Sequence, residues 1–213
     1  MKIAVLGATG ATGQAFIQQA LAHSHTVTAL ARNPQKLTVQ HPSLAVIEGE
    51  ALSYDDVLRA AKGQDAIFVA LGGGNMMEPT HVRTDGSRYL IQALTTLGET
   101  PHVVVVSSLG AGNSEEQMPL ANRQMVRKFL GNALADHDAQ EALVQASALP
   151  WTILRPAGLN NEKGGETLRV SYPPEAIDLQ KTISRADVAA FALNVIETHG
   201  YVQQAVTLTF NLN

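Results

Sequence analysis

KIAVLGATGATG, residues 2–13, places three glycines directly behind a short apolar run. Ile3, Ala4, Val5 and Leu6 predict a buried parallel strand, Gly7, Gly10 and Gly13 a turn, and residues 14–22 the helix that follows. Glycine meets two needs at such a turn. The chain takes up conformations that a Cβ resists, and backbone N–H groups must approach a pyrophosphate at a helix N-terminus, whose dipole favours the anion. The spacing is G-x-x-G-x-x-G and not the commoner G-x-G-x-x-G, and a glycine pattern by itself is weak evidence. Its place between a strand and a helix makes it a dinucleotide-binding turn.

The same alternation continues along the chain. Residues 26–31, 44–47, 66–71 and 102–106 read as strands, the last almost unbroken valine, as expected where both faces of a parallel sheet are buried. Helices are predicted from a Ser53 cap to Ala61, over residues 79–97, and from the end of a polar loop at 110–119 to about Ala146. A strand over 151–154 is closed by Arg155-Pro156, a helix spans 184–197 and a last strand 206–210. The fold class this implies is α/β, a Rossmann-like doubly wound parallel sheet in a single domain over residues 1–213, with ligands beyond the carboxyl ends of the strands. The loop-rich stretch 160–181, with Gly164-Gly165 and Pro173-Pro174, is the expected small C-terminal substrate-side lobe.

Composition narrows the function. The 213 residues are 45% hydrophobic and 16% charged, which suits a globular core. A net charge of −4 without any lysine or arginine run argues against nucleic acid as a partner. The chain has no cysteine, which excludes disulfides, thiol nucleophiles and cysteine-ligated metals. No apolar stretch approaches the roughly 18 residues of a membrane span, and a strand starting at Lys2 leaves no room for a signal peptide, so a cytoplasmic location and no membrane partner are expected. Histidines and carboxylates show no metal-ligand spacing in the sequence, and no metal is expected.

Six segments occur together in order: GATGATG from Gly7, LARN from Leu30, GQDAIFVALGGGN from Gly63, VVVVSS from Val103, WTILRP from Trp151 and ISRADVAAF from Ile183. On these the chain resembles the atypical short-chain dehydrogenases/reductases of the NAD(P)H-binding NmrA-like group, and within it the flavin and biliverdin reductase branch. The resemblance implies that Gly7, Thr9, Gly10, Ala11, Thr12 and Gly13 wrap the pyrophosphate. It places Leu71 and Gly72 by the adenosine ribose, Glu50 beside the adenine, and Ser107, Pro156 and Ala157 along the nicotinamide. Arg32 follows the second strand, where an acidic residue would take the 2′-hydroxyl of NAD and an arginine takes the 2′-phosphate of NADP. NADP(H) is therefore the expected cofactor.

The Tyr-x-x-x-Lys pair of many such enzymes is missing, since Ala133 falls at the tyrosine position and His137 at the lysine position. His137 is kept as a catalytic candidate beside the alternative of a structural histidine. Ser108 is the second candidate, as a hydroxyl that positions substrate or carboxamide, with strand-end capping as the alternative. Gly73, Gly74, Met76 and Met77 would form an adaptable wall for a flat ring, or equally part of the core. Together these features point to an NADPH-dependent reductase of a small aromatic or conjugated acceptor, monomeric or a small homo-oligomer. The alternative is a non-catalytic NADP(H) sensor acting through a protein partner.

Overall fold

A computed structural model of the chain describes residues 1–72, 78–177, 179 and 181–210. Along it run β1 (Lys2–Leu6), α1 (Ala11–Ala22), β2 (Thr26–Ala31), β3 (Leu44–Glu48), α2 (Tyr54–Ala61) and β4 (Ala66–Val69). There follow α3 (Val82–Leu97), β5 (His102–Val106), α4 (Leu120–Gln145), β6 (Trp151–Pro156), β7 (Leu159–Asn160) and β8 (Leu168–Ser171). The chain ends in β9 (Ile183–Ser184), α5 (Arg185–Thr198) and β10 (Gln204–Phe210). One eight-stranded sheet has the order β3-β2-β1-β4-β5-β6-β10-β8, parallel except for β8, which runs antiparallel to β10.

The period of two in β1 explains how the layers form. Ile3 and Val5 point into a core shared with Phe16, Ile17 and Ala20 of α1 and Val188, Ala192 and Val195 of α5. Ala4 and Leu6 point the other way, against Val57 of α2, Leu90 and Leu94 of α3 and Val144 of α4. Both faces are covered, so the run carries no polar residue. Phe16 stacks on Phe68 with ring centroids 4.0 Å apart, tying α1 to β4 at the centre of the first layer.

Several boundaries differ from the sequence reading. β4 stops at Val69 and α3 starts at Val82, because Leu71, Gly72, Pro79 and Thr80 turn out of the sheet into irregular chain at its carboxyl edge. The stretch expected to be a loop-rich lobe gives up β8 to the main sheet, where Val170 pairs Leu208, and β7 and β9 form a two-residue parallel ladder. β8 is an edge strand of only four residues whose hydrophobic signal, Leu168 and Val170, is too short to stand out among its polar neighbours.

The candidate cofactor cleft and its neighbourhood

Leu6 of β1 lies level with Leu30 of β2 and with Val69 of β4, so three strand ends finish on one line. α1 leaves that line on one face of the sheet and α3 arrives on the other, which opens the crevice of a doubly wound fold. It is occupied by a cleft of about 300 Å³ lined by Gly7, Thr9, Gly10, Ala31, Arg32, Lys36, Glu50, Ala51, Leu52, Leu71, Gly72 and Val82, among others.

The three glycines of the turn divide the work. Gly7 has φ +88, and a Cβ there would lie 2.2 Å from the Ala70 carbonyl oxygen, so this glycine lets β1 and β4 close together. A Cβ on Gly13 would lie 2.3 Å from the Gly7 carbonyl oxygen, so this one seats α1 on the turn. Gly10 is exposed, and a Cβ on it would meet only the Gly7 oxygen, at 3.3 Å. It stands at the N-cap of α1 with no side chain closing the helix end. The first intrahelical bond is Gln14 N–H to the Gly10 carbonyl, which leaves the amides of Ala11, Thr12 and Gly13 without an intrahelical acceptor. That open cradle fits a pyrophosphate. α2 and α5 instead carry Ser53 and Ser184 as side-chain caps, and Asp136 of α4 accepts from the Arg83 and Thr84 amides at the start of α3.

The rim of the cleft is cationic. Arg32 and Lys36 are both exposed and line it, with no ion-pair partner for either among the described residues. Lys36 was not expected from the sequence. The loop that carries it is tied to the turn by Gln14, whose Oε1 accepts from the Thr38 amide (3.2 Å) and hydroxyl (2.8 Å) while its Nε2 donates to the Thr9 carbonyl (3.1 Å). The glycine turn and the Lys36 loop are thus held by one side chain. A cation shortly after an Asn-Pro turn was the only signal available in the sequence.

The residues expected at the nicotinamide side make internal hydrogen bonds. Ser107 is buried and its hydroxyl donates to Glu141 Oε1 at 2.6 Å. The same carboxylate receives Arg155 Nε at 3.0 Å and Nη2 at 2.5 Å, and Arg155 Nη1 donates to Asn113 Oδ1 at 2.9 Å. The Ser107 hydroxyl is therefore committed inside the protein, as is the Arg155 side chain. Pro156 and Ala157 are also buried, the Pro156 carbonyl accepting from Leu109 N–H and the Ala157 amide donating to Leu208. Ser108 is half-buried and its hydroxyl donates to the Leu109 carbonyl at 3.1 Å.

His137 lies in α4 among Arg83, Asp136 and Gln140 and is not among the residues that line the cleft. Burial, then the Arg83 guanidinium, push its pKa down to about 3, and its Nδ1 has no partner among the described residues. It is neutral at physiological pH. Asp136 beside it is wholly buried, which opposes its charge, but hydrogen bonds from Thr84 and Arg83 hold its carboxyl below the usual range. Ala133, at the tyrosine position, is buried as well. The sequence missed Glu141 and Gln140, although Ala133, His137, Gln140, Glu141 and Val144 recur at helical spacing and mark the buried face of α4. Gly73, Gly74, Met76 and Met77 fall outside the described residues.

Spacing along the chain pointed to no cluster of metal-ligating side chains. Among the described residues, His23, His25 and Glu197 bring their ligand atoms within 4.8 Å of one another. Glu197 is remote in sequence, so no spacing could signal it. Among the described residues no helix is long and apolar enough to cross a membrane.

A doubly wound sheet with an open helix N-terminus at its switch point defines a dinucleotide-binding protein. The chain belongs to the NAD(P)H-binding family, which it matches over residues 7–199. It is 30% identical to the uncharacterized sugar epimerase YhfK of Bacillus subtilis, over 98% of this chain and 94% of that one. The fold is shared with ChuY, an anaerobillin reductase from Escherichia coli O157:H7 (TM-score 0.80, 22% identity, 100% of this chain and 99% of that one). It is shared also with a short-chain dehydrogenase/reductase from Veillonella parvula in complex with NADP (TM-score 0.81, 18% identity, 97% and 93% covered).

Proposed function

We propose that this protein is an NADPH-dependent reductase of flat, conjugated, electron-poor acceptors, a class that includes free flavins, quinones and linear tetrapyrroles. The observation that carries the reading is the pair Arg32 and Lys36, exposed at the rim of the cleft without ion-pair partners among the described residues. Arg32 directly after β2, with Lys36 on the loop that follows, suits the 2′-phosphate of NADPH, where an acidic residue would suit the ribose hydroxyls of NADH. Arg32 grips that phosphate, the amides of Ala11 to Gly13 bind the pyrophosphate, and Leu71 and Gly72 pass the ribose. Bound NADPH supplies the hydride.

What the chain lacks supports the acceptor class. Alcohol–ketone and sugar-epimerase chemistry call on a tyrosine acid, and Ala133 and His137 stand where that pair would be. A neutral, buried His137 is a poor proton donor. Conjugated acceptors need orientation against the hydride donor and take the balancing proton from water, so proximity is the protein's main contribution. The likeness to an anaerobillin reductase fits this reading, since the same fold carries a reductase there.

The test is steady-state NADPH oxidation against flavin, quinone, dichlorophenolindophenol and biliverdin. Turnover with at least one acceptor is expected. Ser108→Ala should lower it by about fivefold, the worth of one neutral hydrogen bond, with NADPH affinity kept. Tight NADP⁺ and NADPH binding with no oxidation by any acceptor overturns the reductase and makes the protein a redox sensor for a partner protein.

A further inference from the structure

We propose that His23, His25 and Glu197 form a binding site for one divalent transition-metal ion of the zinc class, at the end of the sheet opposite the cofactor cleft. His23 Nδ1 and His25 Nε2 each lie 2.9 Å from the same oxygen, Oε1 of Glu197. All three ligand atoms fall within 4.8 Å of one another. Around a tetrahedral zinc with bonds near 2.1 Å, ligand atoms stand about 3.4 Å apart. The three donors already converge, and seating an ion requires each histidine nitrogen to part from the Glu197 oxygen by about 0.5 Å.

The backbone sets this convergence in advance. His23 caps the C-terminus of α1, Ser24 reverses the chain at φ +65, and His25 leads into β2. The amides of His23, Ser24 and His25 bond to the carbonyls of Gln19, Leu21 and Ala20, so the reversal is fully hydrogen-bonded. It puts two imidazoles separated by one residue on the same side. Glu197 comes from the last turn of α5, and Gln19 Nε2 of α1 donates to the Ala186 carbonyl at the other end of α5, which fixes the two helices against each other.

Two helix C-termini favour a cation here. The C-terminal ends of α1 and α5 meet here, each contributing partial negative charge, and a glutamate in a last helical turn opposes the dipole of its own helix. The α-amino group of Met1 lies 3.3 Å from His25 Nδ1, on the far side of that ring from the ligand nitrogen. Two imidazoles and one carboxylate suit zinc, cobalt or nickel, whereas magnesium and calcium take oxygen ligands. The His23 side chain is 56% exposed, which leaves an entry path and a fourth position for water. A bound ion would clamp the α1–β2 turn to α5 without touching the cleft.

Tag-free protein stripped with chelator and titrated with ZnCl2 in a calorimeter tests the site. One ion per chain should bind with a dissociation constant below about 10 µM, at least tenfold weaker in His23→Ala and in Glu197→Gln. Co²⁺ should give visible d–d bands in the wild type that both variants lose. Zinc should raise the thermal midpoint of the wild type and not that of His23→Ala. His23 is exposed, so its variant keeps the fold, and unchanged NADPH affinity serves as the control. Absence of stoichiometric binding by the wild type, or equal zinc affinity in wild type and His23→Ala, overturns the proposal.

Discussion

At the adenosine end of the crevice Gly10 leaves α1 without a side-chain cap, and Arg32 and Lys36 point charges at the cleft with no ion-pair partner among the described residues. At the ends of β5 and β6, by contrast, Ser107, Glu141, Arg155 and Asn113 spend their polar groups on one another. Exposure explains the difference. Open donors and cations at the first end are hydrated until a ligand displaces the water, so leaving them unpaired costs little. Ser107, Glu141 and Arg155 at the second end are buried, the last two with side chains only 3% exposed, and an unpaired charge there would be expensive. The first end leaves its donors and cations unpaired among the described residues, and the second pairs its buried side chains with one another.

The sharpest way to break this contrast is Glu141→Ala. It strands Arg155 in the interior and should cost about 3 to 5 kcal/mol in urea unfolding, with NADPH affinity retained in the folded fraction. Normal stability with lost NADPH binding would turn the β5–β6 end into a binding end. Gly10→Val acts on the opposite side. A branched side chain at an exposed N-cap should weaken NADPH at least about a hundredfold, near 2.7 kcal/mol, with the melting temperature almost unchanged. Fluorescence titration checks it, and unaltered binding would mean that the amides of α1 are not the phosphate cradle.

Acid sharpens the comparison from the dry side. Burial, with the Arg83 charge, holds the His137 pKa at about 3, and burial, with His199 alongside, holds that of His102 at about 4. The unfolded chain takes up these protons near pH 6.5 while the native state does not, so stability is full above about pH 6.5 and falls as the pH drops toward 4. Each histidine should cost about 2 kcal/mol by pH 5, read as a falling urea midpoint. A flat profile between pH 7 and 5 would place both rings in contact with water. The smallest effect is expected at the wet end, where Arg32→Ala should weaken NADPH by about tenfold to a hundredfold and leave NADH unchanged. Calorimetry that finds equal NADPH and NADH affinity in the wild type would break the assignment of the cationic rim.

The same contrast governs how much could be read beforehand. Gly7, Thr9, Gly10, Arg32, Glu50, Leu71 and Gly72, expected at one site, all line one cleft. They sit on strand ends and on a turn whose conformation is local, so spacing along the chain carries the information. Ser107 and His137 were read through a resemblance that fixes position along the chain but not what a side chain meets. Whether the Ser107 hydroxyl faced a ligand or Glu141, across 34 residues of sequence, was decided by how α4 packs on β5 and β6.

Alternating strands and helices with glycine-punctuated turns determined the layered sheet and the place of the crevice, because those follow from period and backbone conformation within a few residues. Tertiary structure alone decided which polar groups are spent and which remain available. It joined Glu141 to Arg155 and Ser107, hid His137 between α3 and α4, added β8 to the sheet edge, and brought Glu197 to His25 across 172 residues. The physical reason is that pairing and desolvation depend on distance in space, which a sequence encodes only once its helices are packed.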